Sequence, residues 1–414
     1  MPPYSYPGIY VEEVSTGARP IEAVGTSTAA FIGVAPIPKN RVNKASAINN
    51  WTQFTDQYSG EGATSTPLSH AVYGFFQNGG SRCYVVNLGP DKDIAAGLAE
   101  LEAIDEVAIV AAPGFSDGPS YEAVLTHCEI LKDRFAILDA PEIHSDDENF
   151  AIKQLYDVVL TAPTTKPKKG AGGTPPPEGT PPPEPPAGGG LKARISPGGY
   201  GAYYFPWINV RDPLSPKEIV PVPPSGHLAG IYARTDATRG VHKAPANEVV
   251  RGALGVTYNV TRAEQGELNP RSVNCIRQFA TQGILVWGAR TLDVSASEWR
   301  YLNVRRLFNQ LEESIANGTR WVVFEPNDRT LWKSIRRDIS AFLMVQWRQG
   351  ALMGATAEEA FFVKCDDETN PQEIIDQGQV VTVIGVAPVK PAEFVIFRIG
   401  QSAAGAQVET QGGA

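Results

Sequence analysis

Two apolar runs with a helical stripe between them constrain this chain more than any other feature. "VAIVAA" at Val107–Ala112 and "RFAILDA" at Arg134–Ala140 have the length of buried strands. Between them Val124, Cys128 and Leu131 recur at intervals of four and three, so a helix over about Tyr121–Lys132 carries one apolar face. Strand, helix and strand in that order give a β-α-β rhythm, the unit of an α/β fold. "AFIGVA" at Ala30–Ala35, closed by Pro36, and "SRCYVVNL" at Ser81–Leu88, entered through Gly79 and Gly80, add two further strands. The first half therefore reads as α/β.

The rhythm breaks at Pro163–Gly190, where 10 prolines and 7 glycines leave no packable element. The PPP runs favour extended polyproline II and the flanking glycines act as swivels, which describes a projecting surface loop. "PPPE" lacks a basic flank for a proline-reading module, so an inserted and tolerated loop is the simpler reading. Order resumes with "AYYFPWINV" at Ala202–Val210, followed by a stretch punctuated by Pro and Gly to about Pro270. Two amphipathic helices come next. The first is expected from a capping box of Ser295 and Glu298, with Tyr301, Val304, Phe308, Leu311 and Ile315 as its stripe and Gly318 as its stop. After a strand "RWVVFE" at Arg320–Glu325, Asn327 or Asp328 caps the second, whose stripe is Trp332, Ile335, Ile339 and Phe342 and which ends near Gly350. Strand candidates "FFVKC" at Phe361–Cys365, "VVTVIGV" at Val380–Val386 and "FVIFRI" at Phe394–Ile399 close the chain before a frayed tail.

With 414 residues, 42% hydrophobic and 20% charged, the chain can bury more than one core, and two or three domains are expected. A net charge of -9 opposes bulk attraction to nucleic acid or to an anionic membrane. "MPPYSYPG" has neither the basic nor the apolar region of a secretory leader, so synthesis in a cytosol without a signal peptide is expected. The sequons at Asn50, Asn259 and Asn317 then carry no weight. Cys83, Cys128, Cys275 and Cys365 are far apart and read as reduced core thiols.

Three patterns could carry chemistry. "GFSDG" at Gly114–Gly118 is a G-x-S-x-G between a strand and a helix, where a nucleophile elbow would put Ser116. Its triad would need Asp139, His144, His227 or His242, none in a recognisable setting. A helix start capped by Ser116 or Asp117 ahead of Pro119 explains the same residues without catalysis. "EIHSDDEN" gathers Glu142, His144, Asp146, Asp147 and Glu148, a donor set able to hold a divalent ion. A hydrated turn leading to a helix near Phe150 is the commoner use of such a cluster. His70 and His127 lie among apolar residues and read as packed. No cofactor motif is present: no P-loop lysine, Rossmann glycine pattern or zinc spacing occurs. The third pattern is the basic face of the second helix, Lys333, Arg336 and Arg337, ordinarily a solvated face.

"PGIYVEEV" at Pro7–Val14, followed by "RPIEAVGTSTAAFIGVAP", resembles the amino-terminal signature of contractile tail sheath proteins. "GFFQNGGSRCYVVNL", "YYFPWINVRDP", "VPPSGHLAGIYARTD", "EWRYLNVRRLFNQLEESI", "WVVFEPND", "WRQGALMGATAEEAFFVKCD" and "APVKPAEFVIFRIGQ" continue the resemblance in order along nearly the whole chain. The Pro163–Gly190 segment is the departure. The resemblance implies a mixed α/β, multi-domain sheath fold: a terminal arm over 1–20, the start of the body over 21–100, an outer middle domain over 101–230, a tube-facing carboxy-terminal domain over 231–390 and a second arm over 391–414. It further implies a structural protein, without cofactor or enzymatic activity, that stacks as hexameric rings around an inner tube and meets baseplate and terminal cap proteins but neither nucleic acid nor membrane directly. Injection systems of the extracellular phage-tail-like kind fit the quoted segments better than myophage tails. The resemblance makes Gly8, Ile9, Tyr10, Val11, Glu12, Glu13 and Val14, with Phe394, Val395, Ile396, Phe397, Arg398 and Ile399, strands lent to a neighbouring subunit. It raises Lys333, Arg336 and Arg337 to expected inner-tube contacts, with Arg300, Arg305 and Arg306 on the preceding helix as the rival set. A serine hydrolase on Ser116 and a non-contractile lattice protein are the alternatives.

Overall fold

The structure is a computed structural model that describes residues 19–147, 150–158, 190–294 and 298–396. Its centre is a nine-stranded sheet. In chain order the strands are β1 (Ala29–Gly33), β2 (Ser46–Ile48), β3 (Cys83–Asn87), β4 (Ile109–Ala111), β5 (Phe135–Asp139), β6 (Gly201–Phe205), β7 (Ile208–Arg211), β8 (Ile219–Val222), β9 (Glu248–Val249), β10 (Ala253–Val256), β11 (Val273–Phe279), β12 (Gly283–Trp287), β13 (Phe361–Lys364) and β14 (Val383–Val386). The large sheet runs β2-β3-β1-β4-β5-β6-β11-β12-β9. Its middle is parallel from β3 through β1, β4, β5 and β6 to β11, and its margins, β2 on one side and β12 with β9 on the other, are antiparallel.

A parallel sheet must be covered on both faces, and the helices do this. They are α1 (Trp51–Tyr58), α2 (Pro67–Asn78), α3 (Ile94–Ala99), α4 (Gly118–Leu131), α5 (Ser225–Arg239), α6 (Arg262–Leu268), α7 (Leu302–Gly318) and α8 (Arg329–Arg348). Strand side chains alternate between two cores: Phe31, Ile109 and Ile137 join Phe75 of α2 and Tyr232 of α5, whereas Ile32, Val110 and Leu138 join Leu98 of α3 and Val124 of α4. Helices α2 and α5 approach closely because glycines line their seam. A Cβ at Gly226 would fall 2.2 Å from Ala71 Cα, and one at Gly230 2.5 Å from the Phe75 carbonyl oxygen. Either substitution would have to move backbone.

A smaller antiparallel sheet, β10-β7-β8, flanks the body. A third core joins α7 and α8 to the hairpin of β13 and β14: Leu307, Leu311, Trp332, Ile335, Ile339, Phe342 and Leu343 are buried there with Ile21 and Val241.

Three sequence expectations are corrected. Arg320–Val322 is a turn of 3-10 helix, not the start of a strand. Helix α7 starts at Leu302 with Tyr301 as N-cap and no side-chain cap bond, after a separate 3-10 turn at Glu298–Arg300; Ser295 lies outside the described residues. The helix expected near Phe150 is a short 3-10 turn, Ile152–Leu155. Phe394, Val395 and Ile396, expected to be lent to a neighbouring subunit, pair with no strand of their own chain among the described residues. By contrast, Asp328 does cap α8, accepting from the backbone N–H groups of Thr330 and Leu331 at 2.8 Å each.

Candidate assembly interface

The lead-in to β1 runs antiparallel along α7. Arg19 stacks over the Trp321 ring at 4.6 Å, and Ile21 packs so tightly on Gly318 that a Cβ there would fall 2.6 Å from it. Further on, the Val24 N–H donates to Ser314 Oγ at 3.0 Å, Gln310 Nε2 donates to the Val24 carbonyl at 3.1 Å, and Arg306 Nη2 donates to the Thr26 carbonyl at 2.9 Å. Thr26 Oγ1 donates to Asp236 at 2.6 Å, and Asp236 is also paired with Arg306 at 2.5 Å. Residue 19 is thereby held at the α7–α8 end of the molecule. The expected strand Gly8–Val14 lies outside the described residues.

At the other terminus Glu393 is a fixed point. Arg290 grips its carboxylate with two bonds of 2.9 and 2.8 Å, Asn269 Nδ2 donates at 2.7 Å and the Tyr301 hydroxyl at 2.9 Å. Burial alone would lift this carboxyl, but the donors hold it below the ordinary glutamate value. Immediately after it Phe394, Val395 and Ile396 are 70%, 70% and 79% exposed, three consecutive apolar side chains in water. Phe397, Arg398 and Ile399 lie outside the described residues.

The hairpin of β13 and β14 pairs Phe361 with Val386 and Lys364 with Val383. Phe361, Val363, Ile384 and Val386 turn inward onto the third core, while Phe362 and Val383 point out and are exposed. Asn370, almost fully buried, holds its base: its side chain accepts from the Val381 N–H at 2.7 Å and donates to the Val381 carbonyl at 3.0 Å. Among the described residues no third strand borders either outer edge, and only beyond the end of β14 does 387–389 pair with 351–353, where the Met353 N–H donates to the Ala387 carbonyl at 2.8 Å. A two-stranded ribbon is marginal alone and its open edges are templates for pairing.

The two candidate basic sets separate by burial. Lys333, Arg336 and Arg337 are exposed, on the face of α8 opposite Trp332, Ile335, Ile339 and Phe342; Arg337 Nε reaches the buried Asp338 at 2.9 Å. Arg305 and Arg306 are both 3% exposed. Arg305 sits 4.2 Å from the Trp299 ring and 4.7 Å from the Tyr200 ring and is bonded to Asn309 and Glu312, and Arg306 lies over Tyr232 at 4.7 Å besides pairing with Asp236. Both are internal struts, and Arg300 is half-buried beside them, so the rival set offers no free basic face.

The enzyme-like patterns resolve into structural roles. Asp117 caps α4 by accepting from the Ser120 N–H at 3.0 Å. Among the described residues no histidine hydrogen-bonds Ser116. Asp139 accepts from the N–H and hydroxyl of Ser225 at 2.8 and 2.6 Å, at the start of α5; burial pushes its carboxyl up to about 7 against those two bonds. His227 is fully buried with both ring nitrogens unpartnered among the described residues, and burial, helped by His70, pushes it down to about 3. His144 pairs with Glu142 at 2.9 Å in an exposed turn, and among the described residues no three His, Cys, Asp or Glu groups could share an ion. All four cysteines are buried and unbridged. Sequence reasoning passed over the two anchors. A lone acid between Pro391 and an apolar run was the only visible mark of Glu393, and nothing local marked the contacts of residues 19–26.

Residues 193–292 match the phage tail sheath protein central domain and residues 294–402 the phage tail sheath C-terminal domain, together just over half of the chain. The chain belongs to the phage tail sheath family. This sheath-family chain is 30% identical to the PVC sheath of an extracellular contractile injection system in its contracted state, at a TM-score of 0.73 over 97% of this chain and 99% of that one. It is 31% identical to a chain of the anti-feeding prophage baseplate, at a TM-score of 0.70 over 96% of this chain and 99% of that one. The tail sheath protein of Salmonella phage ViI is 26% identical over 308 residues, which are 71% of this chain and 44% of the phage protein. The chain spans less than half the length of the first curated phage and prophage relatives it matches. No described helix of the sheath-family chain is long and apolar enough to cross a membrane.

Proposed function

We propose that the protein is a structural, non-enzymatic subunit of a contractile sheath that polymerises as stacked hexameric rings around an inner tube and shortens to drive the tube through a target envelope. The observation that carries this reading is the conjunction at the carboxy-terminal layer. Two anchored chain segments, one leaving at Arg19 and one at Glu393, accompany a two-stranded hairpin that no third strand borders among the described residues, with only the continuation of β14 at 387–389 bridged to 351–353. In this reading Gly8–Val14 of one neighbour and Phe394–Ile399 of another add strands to the edges of β13 and β14. Each ladder bond contributes only about 1 kcal/mol net, but many subunits linked in this way form a continuous mesh. The bodies swing during the stroke while the shared ladders persist. The energy is stored at assembly, so no nucleotide hydrolysis is required.

Residues 231–390 face the tube and 101–230 lie outside. Lys333, Arg336 and Arg337 touch the tube by exchangeable charge contacts; their exposure supports the choice over the buried Arg305 and Arg306. Baseplate and cap proteins meet the ends of the cylinder. An extracellular injection system is favoured over a myophage tail because likeness to injection-system chains extends over nearly their whole length, whereas the matched part of the ViI phage protein is under half of it. The protein is made in the bacterial cytoplasm as one component of that particle. Negative-stain images of the chain expressed with its gene neighbours test the proposal: long and short hollow cylinders are expected, and the absence of both would overturn it.

A further inference from the structure

The glycine seam between α2 and α5 contains two histidines. The His227 ring fills the notch at Gly74, where a Cβ would fall 2.3 Å from its Nδ1. His227 is 1% exposed, and among the described residues neither of its ring nitrogens has a hydrogen-bond partner. One turn before Gly74 on α2, His70 is buried too, and its Nδ1 is likewise unpartnered among the described residues. A neutral imidazole tolerates such a place at modest cost. An imidazolium needs two acceptors, and the seam provides none for His227.

Both rings also sit at the wrong end of a helix for a cation. His227 is in the first turn of α5 and His70 closes the first turn of α2, where free backbone N–H groups and the helix dipole disfavour positive charge. A charged His70 would in addition repel a charge on His227. The carboxylates nearby are already engaged. Asp139, at the end of β5, accepts from the Ser225 N–H and hydroxyl. Asp212, just after β7, faces His70 but is bonded to the Ser65 hydroxyl and to the N–H groups of Leu214 and Ser215.

Helix α5 ties this seam to the amino-terminal lead-in. Further along it, roughly 13 Å at 1.5 Å per residue, Asp236 holds Thr26 Oγ1 and Arg306, which in turn donates to the Thr26 carbonyl. We propose that His70 and His227 form an acid switch, in which protonation drives α5 off α2 and, through Asp236, loosens the hold on residues 24–26. The switch belongs to the single subunit and does not depend on the sheath reading. In a cylinder it would make the amino-terminal link between neighbours sensitive to acid.

A histidine held below its unfolded value of about 6.5 leaves stability complete above that pH. Stability then falls as pH drops toward the folded value, because the unfolded chain takes up a proton that the folded one refuses. The raised carboxyls of Asp139 and Glu313 act in the opposite sense, so the effect is read as a difference from a variant that lacks the ring. Between pH 7 and 5 the unfolding constant of the unaltered subunit in urea should rise at least about tenfold relative to that of His227→Leu; parallel pH profiles would overturn the switch. Exchange of the histidine C2 proton in the unaltered chain reads the same group without a substitution. His227 should stay neutral until the subunit melts, and titration near its ordinary value of about 6.5 would overturn the proposal.

Backbone hydrogen exchange tests the coupling. From pH 7 to 5, with intrinsic rates divided out, peptides covering α5 and residues 22–28 should lose at least about tenfold in protection while β1 keeps its own, and His227→Leu should abolish that loss. Protection at 22–28 that persists while α5 loosens would overturn the coupling. An equal loss across β1 would reduce the effect to global unfolding and overturn the switch.

Discussion

The body and the carboxy-terminal layer solve the problem of sheet edges in opposite ways. In the body, β1 lies between two parallel partners, every residue of it is buried, and helices cover both faces. In the carboxy-terminal layer, β13 and β14 have only each other among the described residues, one covered face, and exposed Phe362 and Val383 on the other. The first arrangement stabilises a subunit on its own. The second leaves an exposed apolar face and outer edges that the strands proposed above would complete.

The largest expected effect separates the two regions outright. Deleting Met1–Val14 should leave a cooperative subunit melt while abolishing cylinders; cylinders of normal length would refute the arm assignment. Next in size are substitutions inside the body. Phe31→Ala should cost about 3–5 kcal/mol in urea unfolding, and Asp236→Ala, which strands the buried Arg306 guanidinium, about 3–5 kcal/mol. Losses below about 1 kcal/mol would show that these sites relax in ways the packing does not suggest. Reversing Lys333 and Arg336 to Glu, with Arg337 left on the buried Asp338, should change subunit stability by no more than about 0.5 kcal/mol while releasing tube from sheath; unchanged particle yield and length would remove the tube assignment.

A smaller effect is expected at Glu393. Its folded carboxyl is held below the unfolded glutamate value, so its contribution is complete above about pH 4.3 and is lost as pH falls through the lower folded value. The urea stability of the unaltered chain should therefore fall as pH drops below the ordinary glutamate value, and Glu393→Gln should remove part of that dependence. A profile indifferent to the substitution would place the anchor elsewhere. Phe362→Ser should have the smallest effect on the subunit, within about 0.5 kcal/mol, and should show itself only in cylinder yield. A larger loss in the isolated subunit would mean that the hairpin is already complete.

How much of this was legible follows the same division. β1, β3, β4, α4 and β5 announce themselves because a sheet covered on both faces writes unbroken apolar runs and one-faced helices. The α8 stripe of Trp332, Ile335, Ile339 and Phe342 was readable for the same reason, since that helix is wet on one side. Helix α5 was not. Ten of its 15 residues are buried, so polarity cannot reveal its period, and its glycines resemble loop punctuation. "RWVVFE" has strand composition, yet a 3-10 turn takes its first three residues and Phe324 is left outside. Arg305 and Arg306 look like a solvated basic face in one dimension, and only the fold supplies Trp299, Tyr200, Tyr232 and Asp236 around them. In the assembly interface the hairpin and the basic face were visible, but the anchors were not, because the bonds that fix residues 24–26 span more than 200 positions.

The route of residues 19–28 also settles where a pull on the amino-terminal end is felt. After Thr26 the chain enters β1, which lies inside the sheet with hydrogen-bonded ladders to β3 and β4 on either side. Traction along this segment would meet the contacts of Arg19, Ile21 and Val24 and then the Arg306–Asp236 clamp on Thr26, and beyond it would load two ladders lengthwise in shear. Shearing several bonds together resists far more than peeling an outer strand one bond at a time, so the tether should outlast the weaker contacts around it.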